Sequence, residues 1–243
     1  MTPPEAHPRR PIRALVTDVD GTLTDRDRRL NPEAMQVVQR MTEAGIPVVL
    51  ATGNVLPLAL ALHRFLGLSS PIIAENGGVL YHREGRREIV ERLADRRVAQ
   101  AAYRHLVKAG LPVHRLFTDR WRESEVAMEE GIPERTVRAA LRGQPVTVED
   151  TGYAMHIIQR GAGKLPALRR ALLPMGLTPA DCMAVGDGDN DVGMLRASAW
   201  AASFPSGSAR ARRAADYVTR TEYARGFVEA VIHAGVVPNT VSG

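Results

Sequence analysis

The chain has 243 residues, 44% of them hydrophobic and 24% charged, which is enough for a buried core and a smaller insert without covalent staples. Its one cysteine, Cys182, excludes an intrachain disulfide, and no apolar run is long enough to span a bilayer or to serve as a signal peptide, so a cytoplasmic protein with no membrane partner is expected. The formal charge of +5 favours anionic partners, but the basic residues are dispersed and aromatics make up only 5%, so no specific nucleic-acid partner is expected.

Residues 1–10 are rich in proline and basic residues and read as a poorly ordered tail. The apolar run 12–17 reads as a buried strand ending at Asp18-Val19-Asp20-Gly21-Thr22. Asn31-Pro32 opens a helix that Gly45 closes, and 46–51 is a second buried strand ending at Thr52-Gly53-Asn54. A helix over about 56–66 follows, then strands at 71–74 and 78–81. Buried strands alternating with helices predict a parallel sheet covered on both faces, with reactive groups gathered at the carboxyl ends of the strands.

Near residue 83 the texture changes. A helix at 94–109, a strand at 122–128, a helix at 133–142 and strands at 145–149 and 153–159 predict a small α+β unit. The parallel pattern then resumes with a helix at 163–173 and a strand at 182–186 ending at Asp187. A helix begins near Asn190, short strands follow at 199–203 and 216–219, and a last helix runs over 225–234.

Asp18 and Asp20, two residues apart just past a buried strand, can share one crevice, where one attacks phosphorus and the other handles the leaving-group proton. Taken alone, the pair also reads as an acidic surface turn. Asp187, Asp189, Asn190 and Asp191 crowd a strand-to-helix turn, and carboxylates so close are relieved by a hard dication. Asp187 is the best ligand, Asp191 either ligates or braces, and Asp189 is expected to face solvent. The competing reading of this turn is a helix cap with an acidic first turn.

Thr52-Gly53 at a helix start offers a hydroxyl and backbone N–H groups to phosphate, or is a plain cap. Only two of the 32 basic residues, Lys108 and Lys164, are lysine. Lys164 opens a helix after Gly161-Ala162-Gly163 and lacks the remaining residues of a Walker loop. In isolation it is a solvated helix-start residue. In an arginine-dominated chain it marks a place where a compact ammonium is needed. Acidic pair, hydroxyl, lysine and acidic cluster in this order supply the parts of phosphoryl transfer.

These four motifs resemble those of the haloacid dehalogenase-like phosphatases. The runs Gly21–Asp27, Thr52–Pro57, Ala74–Gly78 and Thr118–Glu123 look like the archaeal-type phosphoglycolate phosphatases among them. The resemblance implies an α/β, Rossmann-like core over 11–82 and 157–243 and an inserted α+β C2-type cap over 83–156. It implies Asp18 as nucleophile and Asp20 as general acid and base. Magnesium would be held by Asp18, the Asp20 carbonyl, Asp187 and Asp191, and phosphate by Thr52, Gly53, Lys164 and Asn190. Gly193 departs from the family, where an acidic residue often follows the Asn-Asp pair.

The expected substrate is a small phosphate monoester, 2-phosphoglycolate, with Arg120 or Arg122 meeting its carboxylate. A broader sugar-phosphate phosphatase, or a metal-binding phosphoacceptor module, are the rival readings, and pairing of two copies stays open.

Overall fold

The computed structural model describes residues 7, 8 and 10–236. Of the expected tail, residues 1–6 and 9 lie outside the described residues, and the His7 ring stacks on His233 with centroids 4.6 Å apart.

The large sheet has eight strands. They are β1 (Ala14–Thr17), β2 (Val48–Ala51), β3 (Ile72–Ala74), β4 (Val79–Glu84), β5 (Arg87–Arg92), β9 (Cys182–Val185), β10 (Trp200–Ser203) and β11 (Tyr217–Val218). Their order across the sheet is β11-β10-β9-β1-β2-β3-β4-β5. All pairs from β11 to β3 are parallel, as expected, while β4 and β5 add an antiparallel edge.

The central strands are buried on both faces, so their alternate side chains feed two cores. Leu15, Val48, Leu50, Met183 and Val185 pack towards one side. There they meet α1 (Pro32–Glu43), α2 (Leu56–Phe65) and α8 (Tyr223–His233). Ala14, Val16, Val49, Ala51, Cys182 and Ala184 pack towards the other, with α5 (Lys164–Leu172), α6 (Val192–Ala197) and α7 (Ala209–Ala214).

Local chemistry starts α1 where the sequence places it. The Asn31 side chain accepts from the Glu33 and Ala34 N–H groups at 3.0 and 3.1 Å, and Pro32 supplies a pre-set φ at the first turn. Ala34, Val37, Val38 and Met41 then recur on one buried face. Truncating Met41 to alanine would cost about 2–5 kcal/mol.

The smaller sheet has the order β6-β8-β7, antiparallel, from β6 (Val126–Met128), β7 (Val146–Asp150) and β8 (Met155–Gln159). It shares its own core with α3 (Arg96–Lys108) and α4 (Glu134–Ala140). Asp119 ties this unit together: its buried carboxylate accepts from Arg96, Arg115 and the Ala127 N–H, at 3.0, 2.7 and 2.9 Å.

The expected insert limits at 83 and 156 each fall inside a strand. Pairing along its whole length assigns the β4–β5 hairpin to the large sheet, and β8 belongs to the small one. We therefore propose that the insert begins after Arg92 and ends after Gln159.

Candidate active site

Because β9, β1 and β2 are neighbours, their carboxyl ends deliver Asp187, Asp18 and Thr52 to one edge of the sheet. The Asp18 N–H is held by the Val185 carbonyl at 3.0 Å, which fixes the loop after β1 against the end of β9. Gly21 turns this loop with φ +74°, and a Cβ there would lie 2.4 Å from Asp187 Oδ2. Glycine therefore meets two demands at once, the left-handed backbone and the close approach of the second acidic loop.

Lys164 is the first residue of α5 and is 2% exposed. Its Nζ donates to Asp18 Oδ1 at 2.6 Å and to Asp191 Oδ1 at 2.7 Å. Gly77 makes room for this helix start, since a Cβ on it would lie 2.1 Å from the Gly163 carbonyl oxygen. Asp191 Oδ2 accepts from the Asp187 and Gly188 N–H groups at 3.0 and 2.9 Å. With both oxygens engaged in this way, Asp191 braces the loop and the lysine. Asp189 stands apart, bound to Ser208 and Arg210 at 2.6 and 2.9 Å.

Ligand oxygens of Asp18, Asp187 and Asp191 all lie within 4.8 Å of one another. Burial, joined by repulsion from the neighbouring carboxylates, raises Asp18 well above the usual range and Asp187 to about 7. Burial would lower the Lys164 ammonium, but Asp18 and Asp191 outweigh it and hold it protonated well above its ordinary value. With all three carboxylates ionised, one ammonium leaves two negative charges unbalanced, and that repulsion adds to the upward shifts of Asp18 and Asp187. An all-oxygen donor set with that deficit fits a hard divalent cation.

The cleft above this floor is lined by Asp18, Asp20, Gly53, Asn54, Asp187, Gly188 and Asn190 from the core, together with Arg28. Asn54 Nδ2 donates to Asp20 Oδ2 and so orients the second carboxylate. Thr52 is buried behind the floor, and its hydroxyl accepts from the Asn54 N–H at 3.0 Å. Asn190 donates to Asn76 Oδ1 at 2.9 Å. The roof is formed by Arg122, Thr151, Tyr153 and His156 of the insert. The Arg28 guanidinium lies over the Tyr153 ring, 3.6 Å from its centroid, and joins core to roof.

A family model described as haloacid dehalogenase-like hydrolase matches residues 15–136 and 123–231. The chain belongs to the haloacid dehalogenase-like hydrolase family. Among its relatives, the phosphoglycolate phosphatase of Methanothermobacter thermautotrophicus is 39% identical over 220 residues, covering 90% of this chain and 97% of the relative. That of Methanoculleus marisnigri is 40% identical over 225 residues, covering 90% and 95%. A solved Thermoplasma acidophilum protein superposes with a TM-score of 0.85 at 26% identity, covering 94% of this chain and all of that one. A subclass IIB sugar phosphatase shares the fold, with a TM-score of 0.75 at 19% identity and coverage of 93% and 100%.

This member of the family is a phosphoric monoester hydrolase. Among its described residues no helix is long and apolar enough to cross a membrane. Sequence reasoning did not single out Glu125, His156, Arg28 or the side chain of Asn54. His156 left one signal, a lone histidine in the apolar run Met155–Ile158. Arg120, one of two candidates for the substrate carboxylate, lies 4.3 Å over the Phe117 ring and does not line the cleft, whereas Arg122 does.

Proposed function

We propose that this phosphatase hydrolyses 2-phosphoglycolate to glycolate and phosphate, with magnesium, through an aspartyl-phosphate on Asp18. The observation that carries the reading is the Asp18 carboxylate at the end of β1, gripped by Lys164 and within 4.8 Å of Asp187 and Asp191. The relatives named phosphoglycolate phosphatase support the choice of substrate.

Asp18, Asp187 and the carbonyl of Asp20 would hold the magnesium ion, with Asp191 as brace. When bound, the ion supplies positive charge against the phosphate oxygens. Asp18 attacks phosphorus, forming an Oδ–P bond while the bond to the glycolate oxygen breaks. The Asp20 carboxyl, set by Asn54, gives its proton to that leaving oxygen. In the second half, the Asp20 carboxylate takes a proton from water, the water oxygen attacks phosphorus, and phosphate leaves with Asp18 regenerated.

Lys164 offsets the charge on Asp18 throughout. Gly53 and Asn190 border the phosphate, and Arg122 meets the substrate carboxylate. The roof excludes water from the reacting centre. The cytoplasm is the proposed location.

Steady-state kinetics with magnesium on 2-phosphoglycolate and a panel of sugar phosphates test this reading. A kcat/KM for phosphoglycolate well above that of every sugar phosphate is expected. A flat profile would replace it with a broad sugar-phosphate phosphatase, and no magnesium-dependent phosphate release would end it.

A further inference from the structure

The roof carries a group of side chains that phosphoryl transfer itself does not use. Glu125 has no solvent exposure, yet its carboxylate gathers three donors. Oε1 accepts from Arg122 and from His156 Nδ1, the latter at 2.8 Å, and Oε2 accepts from Asn76 at 3.0 Å. Burial alone would raise this carboxyl. The charges of His156 and Arg122 and the hydrogen bonds of His156 and Asn76 outweigh it and keep it below the usual carboxylate range.

An ionised carboxylate only accepts, so a His156 proton sits on Nδ1. Nε2 then lies at the cleft wall, 3.5 Å from Thr151 Oγ1. With its Nδ1 tied to a carboxylate, the ring can carry a second proton at Nε2 and donate it to an anion bound in the cleft. Arg122 spends one nitrogen on Glu125 and the Gly53 carbonyl. Its Nε is buried and has no hydrogen-bond partner, in a side chain 3% exposed that lines the cleft. A buried donor of that kind calls for an acceptor, and the cleft is where one arrives.

We propose that His156 and Arg122 together read the carboxylate of the substrate, and that Glu125 is the positioning residue that holds both in register with the phosphate site through Asn76 and Asn190. The inference deepens the phosphoglycolate reading and rests on it. It assigns a preference for phosphate monoesters bearing a second anionic group over esters lacking one.

The test compares kcat/KM for 2-phosphoglycolate and for p-nitrophenyl phosphate, with magnesium, in the wild type, H156N and E125Q. Asparagine keeps the donor to Glu125 and removes the nitrogen facing the cleft. In both variants the ratio of the two constants is expected to fall ~10-fold, carried by KM for phosphoglycolate, as for the loss of one charge-assisted hydrogen bond. A merely structural role would lower both substrates alike and leave the ratio intact, which overturns the proposal.

If melting shows that E125Q does not fold, H156N decides. A wild type without preference for phosphoglycolate ends the substrate reading and this inference together. A wild type with that preference, retained in H156N, ends this inference alone.

Discussion

Replacing Lys164 by methionine keeps the length of the side chain and removes its charge. The ammonium is 2% exposed and lies between two carboxylates at 2.6 and 2.7 Å, so it has no water to substitute for them. At an effective dielectric of about 20 each pair is worth roughly 6 kcal/mol before desolvation is charged against it. Removing one partner of a buried pair costs about 3–5 kcal/mol, because the orphaned carboxylates stay buried. For a domain of this size each kcal/mol moves Tm by about 2–4 °C. Without added metal, K164M should therefore melt roughly 6–20 °C below the wild type.

Magnesium should then raise the Tm of K164M by more than it raises that of the wild type, since the variant has one more charge to neutralise. D191N in the K164M background removes one of the orphaned carboxylates, so the double variant should be less destabilised than the sum of the two single changes, by about 0.5–3 kcal/mol. Calorimetry on the four proteins, with and without magnesium, supplies the measurement. K164M melting within about 2 °C of the wild type in the absence of metal, or strict additivity with D191N, refutes the charge argument.

D18N should lose turnover by ~1000-fold or more while still binding magnesium weakly, and D20N should lower kcat by about 100- to 10,000-fold and let acid quenching trap label from phosphorus-32 substrate on the protein. G21A places a Cβ 2.4 Å from Asp187 Oδ2 and should raise the magnesium concentration for half-maximal activity ~10-fold. Gly85 has a similar φ of +61° with open space around it, so G85A carries the backbone strain alone and should leave that concentration unchanged. Burial pushes the Cys182 thiol up to about 12, so it should ignore a thiol reagent at pH 8 in the native protein and react only on unfolding.

The chain order of the site was legible because each of its parts ends a buried strand or opens a helix, and those junctions carry their own signals. Asn31 and Pro32 start α1, and the apolar runs before Asp18, Thr52 and Asp187 can only be buried strands. The elements that escaped are the ones whose surroundings do not demand apolar side chains. Strand β5 is an edge strand of sequence REIVER, mostly exposed and charged, which protects the sheet edge and hides the alternation. Helix α7, ARARRA, buries only Ala211. Neither run is assigned an element from its sequence, and backbone hydrogen bonds define both.

The runs at 74–78 and 118–123 gain their meaning only from the way the insert sits on the core. Glu75 is buried with φ +50°, and its carboxylate accepts from the Glu123 and Ser124 N–H groups at 2.9–3.0 Å and from the Ser124 hydroxyl at 2.6 Å. Gly78 lets that loop approach, since a Cβ on it would lie 2.1 Å from Ser124 Oγ. Asn76, next in the chain, joins Asn190 in the cleft lining to Glu125 under the roof. A shift of the roof against the core must therefore break these buried hydrogen bonds, together with the one that Arg122 donates to the Gly53 carbonyl, whose two residues line the cleft. Interiors of this density respond by switching between discrete arrangements. The same joint thus fixes the distance between the proposed phosphate site and the roof, and so limits the length of the ester that fits. A substrate with one more methylene between its phosphate and carboxylate, the phosphate monoester of 3-hydroxypropionate, should accordingly be turned over with a KM raised about 10-fold or more. An equal KM for the two esters would show that the roof moves freely and that the joint sets no length.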